Sequence, residues 1–502
     1  MLRRLFVVFI LISTFAVAGC KISGIITTSD GVGVEGVTVI LDCDASVEGC
    51  DASMSTTTDA DGTYVFHKIK PGNYNVKPAD DKHTFEPASR NVKIDHKKIA
   101  RADFEMVTSP TPPPPVSLPP WSTYQGNADH TGYVPVILNT DIPTADRIWT
   151  RELIESVPLN PVAAGDGKVF VTTVGYFGSN VAMTLDSATG DTLWTNDLDV
   201  LDPLGPIHSI GPPAYSNGTV YIQSTNHDIS SGKGSYIWFF DAESGEFLFK
   251  TAYGNQWDRY YAPTIYEDNV YIGGGYYGGV YGFDAVSGIE SWYVDLTQYN
   301  QWTPAVNEDH VIAYTGDQGI QDAQLTVINR LTGVVDFVIP DPNFDWDGWS
   351  MNLAPVLGSQ NNVIAIHDGR LISFDLAKQK IGWEIPKKEG DLGSFSGQPS
   401  LANGIIYAVS EGYLYALDES DGSSIEGWLP WQPPSGESIV TPMIVTDNLI
   451  FVSTASMTYA VDLESQTDVW SYAAGGHLAL SDDGILFIAT AEGILHAIST
   501  LE

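Results

Sequence analysis

The sequence predicts an all-β protein, an eight-bladed β-propeller preceded by a small N-terminal β-sandwich. Two observations predict the propeller. A unit with an Asp–Gly turn followed by an aromatic residue recurs through residues 121–502, and successive aromatic residues lie 42–55 positions apart. That spacing is typical of propeller blades of four short strands. The sandwich is predicted by residues 20–107, where short runs alternate apolar and polar positions between turns.

The first nineteen residues predict a secretory lipoprotein signal. Two arginines precede an apolar stretch that is too short to span a bilayer and ends in Ala18-Gly19-Cys20. This order resembles a bacterial lipobox, in which Cys20 receives lipid and becomes the mature N-terminus. Cleavage after Gly19 with an unmodified cysteine is the alternative. Because Lys21 follows, the resemblance implies an outer-membrane lipoprotein, and it leaves open which face of that membrane carries the protein.

Residues 20–107 also resemble a known domain. The Asp side chains of Thr58–Gly62 are predicted to bond nearby backbone N–H groups, with Gly62 at positive φ. This turn and the stretch up to Val76 resemble the carboxypeptidase regulatory-like domain, a transthyretin-like sandwich. The resemblance implies a spacer or adhesion module, in a fold whose relatives bind carbohydrate.

The two remaining cysteines, Cys43 and Cys50, predict a disulfide because the domain is exported. The acidic residues around them do not have the spacing of a known Ca²⁺ loop. They are therefore interpreted as a solvated loop, and no metal site is predicted.

Residues 108–120 are predicted to be a linker between the two domains. Seven of these thirteen residues are proline, which favours an extended polyproline conformation. At about 3.1 Å per residue the segment would be a stiff spacer of roughly 40 Å.

The sequence of the repeat unit from residue 121 onward predicts a hairpin turn followed by an outer strand. In most units an Asp is followed four residues later by Gly, so that Asp caps a hairpin turn and Gly supplies positive φ. Gln379 and Gln466 replace that glycine in two units, whose turns are expected to differ. The aromatic residue after each turn is predicted to lie on the outer strand and to pack against the neighbouring blade. These aromatic residues are Trp149, Trp194, Phe249, Trp292, Phe337, Trp383, Trp428 and Trp470.

The two ends of the repeat region complement each other. It begins with an isolated outer strand around Trp149 and ends with a unit that lacks one, which predicts a closed ring. A solenoid would instead need capping repeats at both ends. A proline is predicted to open seven inner strands, where no ladder donor is needed. These prolines are Pro161, Pro213, Pro263, Pro304, Pro355, Pro399 and Pro442.

The repeats and the opening motif Trp121–Gly132 resemble the pyrroloquinoline-quinone-like (PQQ-like) propeller family. One branch of that family contains quinoprotein dehydrogenases. The other contains non-enzymatic propellers, among them the lipoprotein of the outer-membrane β-barrel assembly machinery. The dehydrogenase branch implies a quinone, Ca²⁺ and, in many members, a vicinal disulfide. Residues 121–502 contain no cysteine, so we expect no catalytic residues and no cofactor, and His130 of the motif is interpreted as structural.

The net charge of −38 lies mostly on the repeat region. Residues 108–502 hold 12 basic and 48 acidic side chains. Such a surface repels nucleic acid and anionic headgroups, so a nucleic-acid partner is not expected.

Aromatic residues cluster just before three inner strands, where they are predicted to line one mouth of the channel. Tyr, Trp and Arg anchor protein interfaces, and aromatic faces also stack on sugars. Packing between blades is the alternative. The function hypotheses are a scaffold for envelope proteins, a binder of carbohydrate or another ligand, and a PQQ-dependent dehydrogenase. The candidate surface comprises Trp257, Arg259, Tyr260, Trp302, Trp346 and Trp349.

Overall fold

The protein is described by a computed structural model in which the chain divides into two compact units, Met1–Val116 and Ser117–Glu502. Strands dominate both units, and among the described residues no helix has the length and apolar character needed to cross a membrane. The structure describes residues 20–501 except 29–30, 44–52, 80–83, 96–98, 108–117, 141–146, 176–177, 203–206, 226–233, 255–260, 275–278, 297–301, 317–322, 345–353 and 387–391.

The first unit is the predicted β-sandwich. One sheet has the order β4-β1-β9-β6, with β8 beside β1, and the other has the order β3-β2-β5-β7. Side chains along β1 alternate between buried and partly exposed, as a strand with one face on a core requires. The strands are β1 (Cys20–Thr28), β2 (Thr38–Cys43), β3 (Met54–Thr57), β4 (Thr63–Ile69), β5 (Gly72–Ala79), β6 (Thr84–Glu86), β7 (Arg90–Ile94), β8 (Ile99–Arg101) and β9 (Phe104–Val107).

The turn before β4 has the predicted mechanism. The Asp59 carboxylate accepts from the backbone N–H groups of Asp61 (3.1 Å) and Thr63 (2.8 Å). Gly62 adopts a φ of 74°. Hydrogen bonds from the Thr63 side chain and backbone lower the pKa of Asp59. The charged carboxylate is therefore part of the turn.

The described residues of the second unit form eight sheets, which are the propeller blades. Seven have four strands, blade 6 has three, and a short helix, α1 (Leu198–Leu201), follows blade 1. Blade 1 contains β11 (Ala163–Gly165), β12 (Lys168–Thr172), β13 (Val181–Asp186) and β14 (Thr192–Asp197), and blade 2 contains β15 (Ser209–Ser216), β16 (Thr219–Thr225), β17 (Ser235–Asp241) and β18 (Phe247–Tyr253). Blade 3 contains β19 (Thr264–Tyr266), β20 (Asn269–Gly273), β21 (Val280–Asp284) and β22 (Glu290–Val294), and blade 4 contains β23 (Ala305–Val306), β24 (His310–Gly316), β25 (Ala323–Asn329) and β26 (Val335–Asp341).

Blades 5 to 8 complete the ring. Blade 5 contains β27 (Val356–Leu357), β28 (Asn362–His367), β29 (Arg370–Asp375) and β30 (Lys380–Ile385), and blade 6 contains β31 (Phe395–Ala402), β32 (Ile405–Ser410) and β33 (Tyr413–Asp418). Blade 7 contains β34 (Val440–Val445), β35 (Leu449–Ser453), β36 (Thr458–Asp462) and β37 (Asp468–Tyr472), and blade 8 contains β38 (His477–Leu480), β39 (Ile485–Ala489), β40 (Ile494–Ser499) and β10 (Arg147–Glu152).

Contacts between the innermost strands close the ring. Each innermost strand contacts that of the next blade, and β38 of blade 8 contacts β11 of blade 1. The outer strand of blade 8 is β10, which pairs antiparallel with β40 and places Trp149 opposite Ala497. The predicted closure by the two ends of the repeat region is therefore confirmed.

The aromatic residues of the outer strands pack on the next blade, as predicted. The prediction is wrong for Trp428, which lies on no strand because blade 6 has only three. A Cβ built on Gly333 of blade 4 would lie only 2.6 Å from Cγ of Trp292 in blade 3, so only glycine leaves room for the ring. The indole N–H also donates to a backbone carbonyl of the same turn. These bonds run from Trp149 to Ser187 (2.8 Å), Trp194 to Ala242 (3.0 Å), Trp292 to Arg330 (2.9 Å) and Trp383 to Glu419 (3.0 Å).

The turns that carry Gln379 and Gln466 differ less than expected in their backbone. Gln379 has a φ of 51° and Gln466 of 57°, in the same left-handed region as the glycines at this position. The aromatic partner differs instead. The Gln466 carboxamide bonds to the backbone around Trp428, and the Trp428 indole donates to Leu414 of its own blade (3.4 Å).

The prediction that proline opens seven inner strands is wrong for three of them. Pro213, Pro399 and Pro442 lie inside β15, β31 and β34, at positions where the pairing register with the next strand shifts. A register shift leaves a residue out of the ladder, so a residue without an N–H is tolerated there.

Replacing Gly333 with alanine tests the packing of aromatic residue on glycine. Gly333→Ala should lower the free energy of unfolding by roughly 2–5 kcal/mol, because positive φ costs alanine about 1–2 kcal/mol and overpacking adds about 1–3 kcal/mol. Gly218→Ala is the matched control, since Gly218 has a φ of 79° and no atom within 4 Å of the added Cβ. Urea unfolding measures both variants. Equal losses would contradict the proposed packing.

Candidate functional site

Residues 118–138 form a collar at the mouth of the channel where the inner strands end. Backbone hydrogen bonds join the collar to blades 8, 1, 2, 4, 5, 6 and 7 in that order along the segment, and the Thr123 hydroxyl donates to the Pro263 carbonyl beside blade 3. The collar therefore touches every blade. The backbone bonds are Leu118 N to Asp482 O (3.1 Å), Ala164 N to Trp121 O (2.9 Å), Tyr215 N to Ser122 O (2.8 Å), Val306 N to Ala128 O (2.9 Å), Leu357 N to Asp129 O (2.9 Å), Leu401 N to Thr131 O (2.8 Å) and Val445 N to Gly132 O (2.8 Å).

The motif Trp121–Gly132 accounts for the bend of the collar. Gly126 has a φ of 83°, and a Cβ there would lie 2.5 Å from the Trp121 ring. Gln125 also adopts a positive φ, and its side chain donates to the Pro399 carbonyl of blade 6 (2.8 Å). The collar thus bridges the ring from one side to the other.

His130 is a structural part of the collar. Its Nδ1 lies 3.1 Å from the Pro355 carbonyl, which can only accept, so Nδ1 carries the proton. Its Nε2 lies 3.0 Å from the Thr264 hydroxyl, which also lies 2.8 Å from the Pro304 carbonyl. Burial lowers the pKa of His130 to about 3, and the neutral ring ties blade 5 to blade 3 at neutral pH.

Little space is left in the channel next to the collar. The cavity there has a volume of about 10 Å³ and is lined by collar residues, prolines of the inner strands and His477. Pockets for small organic ligands are typically about 300–1,000 Å³. This cavity is therefore too small for a quinone.

The most buried ion pair of the described propeller clamps two blades. Asp341 of blade 4 receives two hydrogen bonds from Arg370 of blade 5 (2.6 and 3.2 Å) and one from Tyr314 (2.7 Å). Burial would raise the pKa of Asp341, but these bonds outweigh it and lower the pKa. Arg370 also donates to Glu384 of its own blade (3.2 Å), so its charge is compensated within the cluster and the cluster is interpreted as structural. Across the described residues there is no group of His, Cys, Asp and Glu that could hold a metal ion.

One residue of the candidate aromatic surface is buried in the structure. Trp302 is only 1% exposed and belongs to the core between blades 3 and 4, with Tyr271 and Trp292. It can pack there because Gly273 has no side chain: a Cβ would lie 3.2 Å from the indole. Assigning Trp302 to a binding surface is therefore wrong. The other members, Trp257, Arg259, Tyr260, Trp346 and Trp349, lie outside the described residues.

The predicted cysteine sites are partly described. Cys43, at the end of β2, is disulfide-bonded, whereas Cys50 lies outside the described residues, so their pairing stays a prediction. Cys20 begins β1 and is 8% exposed, with its sulfur 3.5 Å from the Asp95 carbonyl. Residues 1–19 and 108–117 lie outside the described residues as well.

Eight sheets arranged in a ring, the Asp–Gly turns and the collar define a β-propeller built from PQQ-like repeats. The model for the family described as outer membrane protein assembly factor BamB matches residues 131–263 and 233–472. The chain belongs to this family. The model described as BOS complex subunit NOMO1-like, second beta sandwich domain, matches residues 15–109, and this sandwich resembles a carboxypeptidase-regulatory-like fold. No curated protein matches the sequence significantly.

Solved structures share the propeller fold at low identity. BamB from Moraxella catarrhalis is 12% identical with a TM-score of 0.52, over 72% of this chain and 100% of that one. A europium-containing methanol dehydrogenase is 13% identical with a TM-score of 0.54, over 73% and 88%. A quinohemoprotein alcohol dehydrogenase from Pseudomonas putida HK5 is 14% identical with a TM-score of 0.53, over 76% and 81%. The fold alone is thus common to BamB and to dehydrogenases.

Truncating Trp302 tests its place in the core. Trp302→Ala should lower the free energy of unfolding by about 3–5 kcal/mol, because it removes a buried aromatic side chain. Tyr293→Ala, at a residue of blade 3 that is 41% exposed, is the control and should cost less. Urea denaturation measures both. If Trp302→Ala were as stable as the wild type, the assignment of this residue to the core would be wrong.

Proposed function

We propose that this protein is a lipid-anchored protein of the outer membrane whose propeller is a non-enzymatic scaffold for other envelope proteins. The observation that carries the proposal is the collar. The collar occupies one mouth of the channel, and its backbone hydrogen bonds to the blades hold the ring together. A rigid ring with a filled mouth offers its outer surfaces, rather than a central pocket, for recognition.

The family supports this reading over the dehydrogenase alternative. The family is that of the outer membrane protein assembly factor BamB. The dehydrogenases resemble the chain equally well in fold, but a fold hosts many functions and does not select one. Residues 121–502 also lack the cysteines that a vicinal disulfide or a haem attachment would need.

No specific observation favours the carbohydrate-binding alternative. It rested on six residues at one mouth, of which Trp302 is buried. The acidic surface, with 48 acidic and 12 basic side chains in residues 108–502, suits a partner with basic groups.

Membrane fractionation tests the anchor. Cys20→Ala should move the protein from the membrane to the soluble fraction, since the acyl chains that hold it to the bilayer would be missing. Lys21→Asp is the matched control: it keeps the lipidated cysteine and should stay membrane-bound. Because the lipobox resemblance assigns the outer membrane on residue 21, this control should shift toward the inner membrane. Retention of Cys20→Ala in the membrane would contradict the anchor.

Cross-linked pull-down from envelope fractions tests the scaffold. The wild-type chain should recover the same envelope proteins reproducibly, and Cys20→Ala should recover fewer, because it no longer shares their membrane. Absence of any reproducible protein would contradict the scaffold. Reduction of a dye by an alcohol or sugar, dependent on added quinone and Ca²⁺, would contradict the non-enzymatic assignment.

A further inference from the structure

Two neighbouring blades carry large apolar residues on turns that elsewhere in the ring hold polar residues or alanine. The turn that follows the third strand has two outward positions, the second after the Asp (Asn329 in blade 4) and the first after the Gly or Gln. In blades 3 and 4 they are Val286, Ile289, Leu331 and Val334, with exposures of 77%, 67%, 68% and 59%. The same positions elsewhere are Ala188 and Asp191, Glu243 and Glu246, Ala377 and Lys380, Ser420 and Ser423, and Glu464 and Thr467.

These side chains belong to one continuous stretch of the ring. Gly288, between Val286 and Ile289, lies against Phe249 of β18, and the Thr251 hydroxyl of that strand donates to its carbonyl (2.7 Å). Gly333, between Leu331 and Val334, lies against Trp292 of β22 in the same way. Exposed apolar residues on β18 and at the start of β26 extend the stretch at both ends. We name the whole set the apolar rim: Phe247, Leu248, Val286, Ile289, Leu331, Val334 and Val335.

Acidic turns border the apolar rim on its inner side. Glu267 and Asp268 form the first turn of blade 3, and Glu308 and Asp309 form that of blade 4. Both turns bond to the rim turns, since Ala285 N donates to Asp268 O and Arg330 N to Asp309 O (both 2.9 Å).

The one basic residue within these turns is already engaged. Arg330 pairs with the Glu267 carboxylate (2.8 Å), donates to the Glu308 carbonyl (2.8 Å) and lies over the Tyr266 ring. The field beside the rim is therefore negative.

We infer that the apolar rim binds a basic amphipathic segment of another polypeptide, an assignment that rests on the proposed scaffold function. Exposed apolar side chains on adjacent turns gain by burial, and the neighbouring carboxylates select lysine or arginine beside the apolar residues of the partner. A second copy of the chain would bring another net charge of −38 to the same place. An anionic membrane surface is repelled for the same reason.

A designed peptide tests the surface directly. The probe is an acetylated nonapeptide of alternating leucine and lysine, with a leucine–glutamate peptide as its charge-reversed counterpart. The full wild-type chain should bind the lysine peptide, with affinity falling as salt rises, and should not bind the glutamate peptide. The double variant Val286→Ser/Leu331→Ser should bind it at least tenfold more weakly, because two apolar anchors are lost without a change of charge.

Matched controls separate the rim from the general acidity of the chain. Ser420 shows that this turn position tolerates serine, and Ala188→Ser at the same position of blade 1 should bind like wild type. Equal binding by all three proteins would overturn the rim as the site. Rim-dependent dimerisation in sedimentation, or rim-dependent binding to vesicles containing phosphatidylglycerol, would replace the inferred occupant with a second copy or a membrane.

Photocross-linking in cells distinguishes failure of the rim from failure of the scaffold. A photoreactive residue at position 286 or 331 should cross-link to an envelope protein, and one at position 188 should not. If other surface positions cross-link while 286 and 331 do not, the rim is refuted and the scaffold stands. If no position cross-links, the scaffold itself fails.

Discussion

The ring depends on one repeated contact, a large aromatic side chain resting on a glycine of the next blade while its indole N–H bonds to that blade's turn. Trp149, Trp194, Trp292 and Trp383 all make it, with donor–acceptor distances of 2.8–3.0 Å. Half of the contact lies in one blade and half in its neighbour. None of these four blades buries its outer aromatic residue alone, so each depends on the next blade for this packing.

Variation of this contact shows what it requires. A glutamine in place of glycine keeps the left-handed backbone, as the φ values of Gln379 and Gln466 show. A side chain at that position nevertheless occupies the space of the ring. At Gln466 the carboxamide takes over the hydrogen bonding, and Trp428 turns back to its own blade, where only isolated bridges replace a fourth strand. Backbone conformation and packing are thus separate conditions, and glycine meets both.

Local signals in the sequence predicted most of the fold, because a blade is built from neighbours along the chain. The Asp–Gly turns, the outer aromatic residues and the turn at Asp59 all act within a few residues. The positions of the prolines inside β15, β31 and β34 could not be predicted, because a register shift depends on the partner strand. The burial of Trp302 escaped because it needs Gly273 of another strand. The collar bonds to residues more than 300 positions away, as Leu118 does with Asp482, and no periodic pattern marks such partners. The apolar rim could have been found by aligning the turns with one another.

The strand β10 has a consequence for how the ring opens. In an open array of repeats a terminal unit has one neighbour, so it frays by breaking one interface. With β10 paired to β40 and Trp149 seated on blade 1, every blade has two neighbours. Local opening must then break two interfaces together, which makes it rarer and slows the first cut by a protease that attacks opened segments. The six residues of β10 thus slow the local opening of the whole ring.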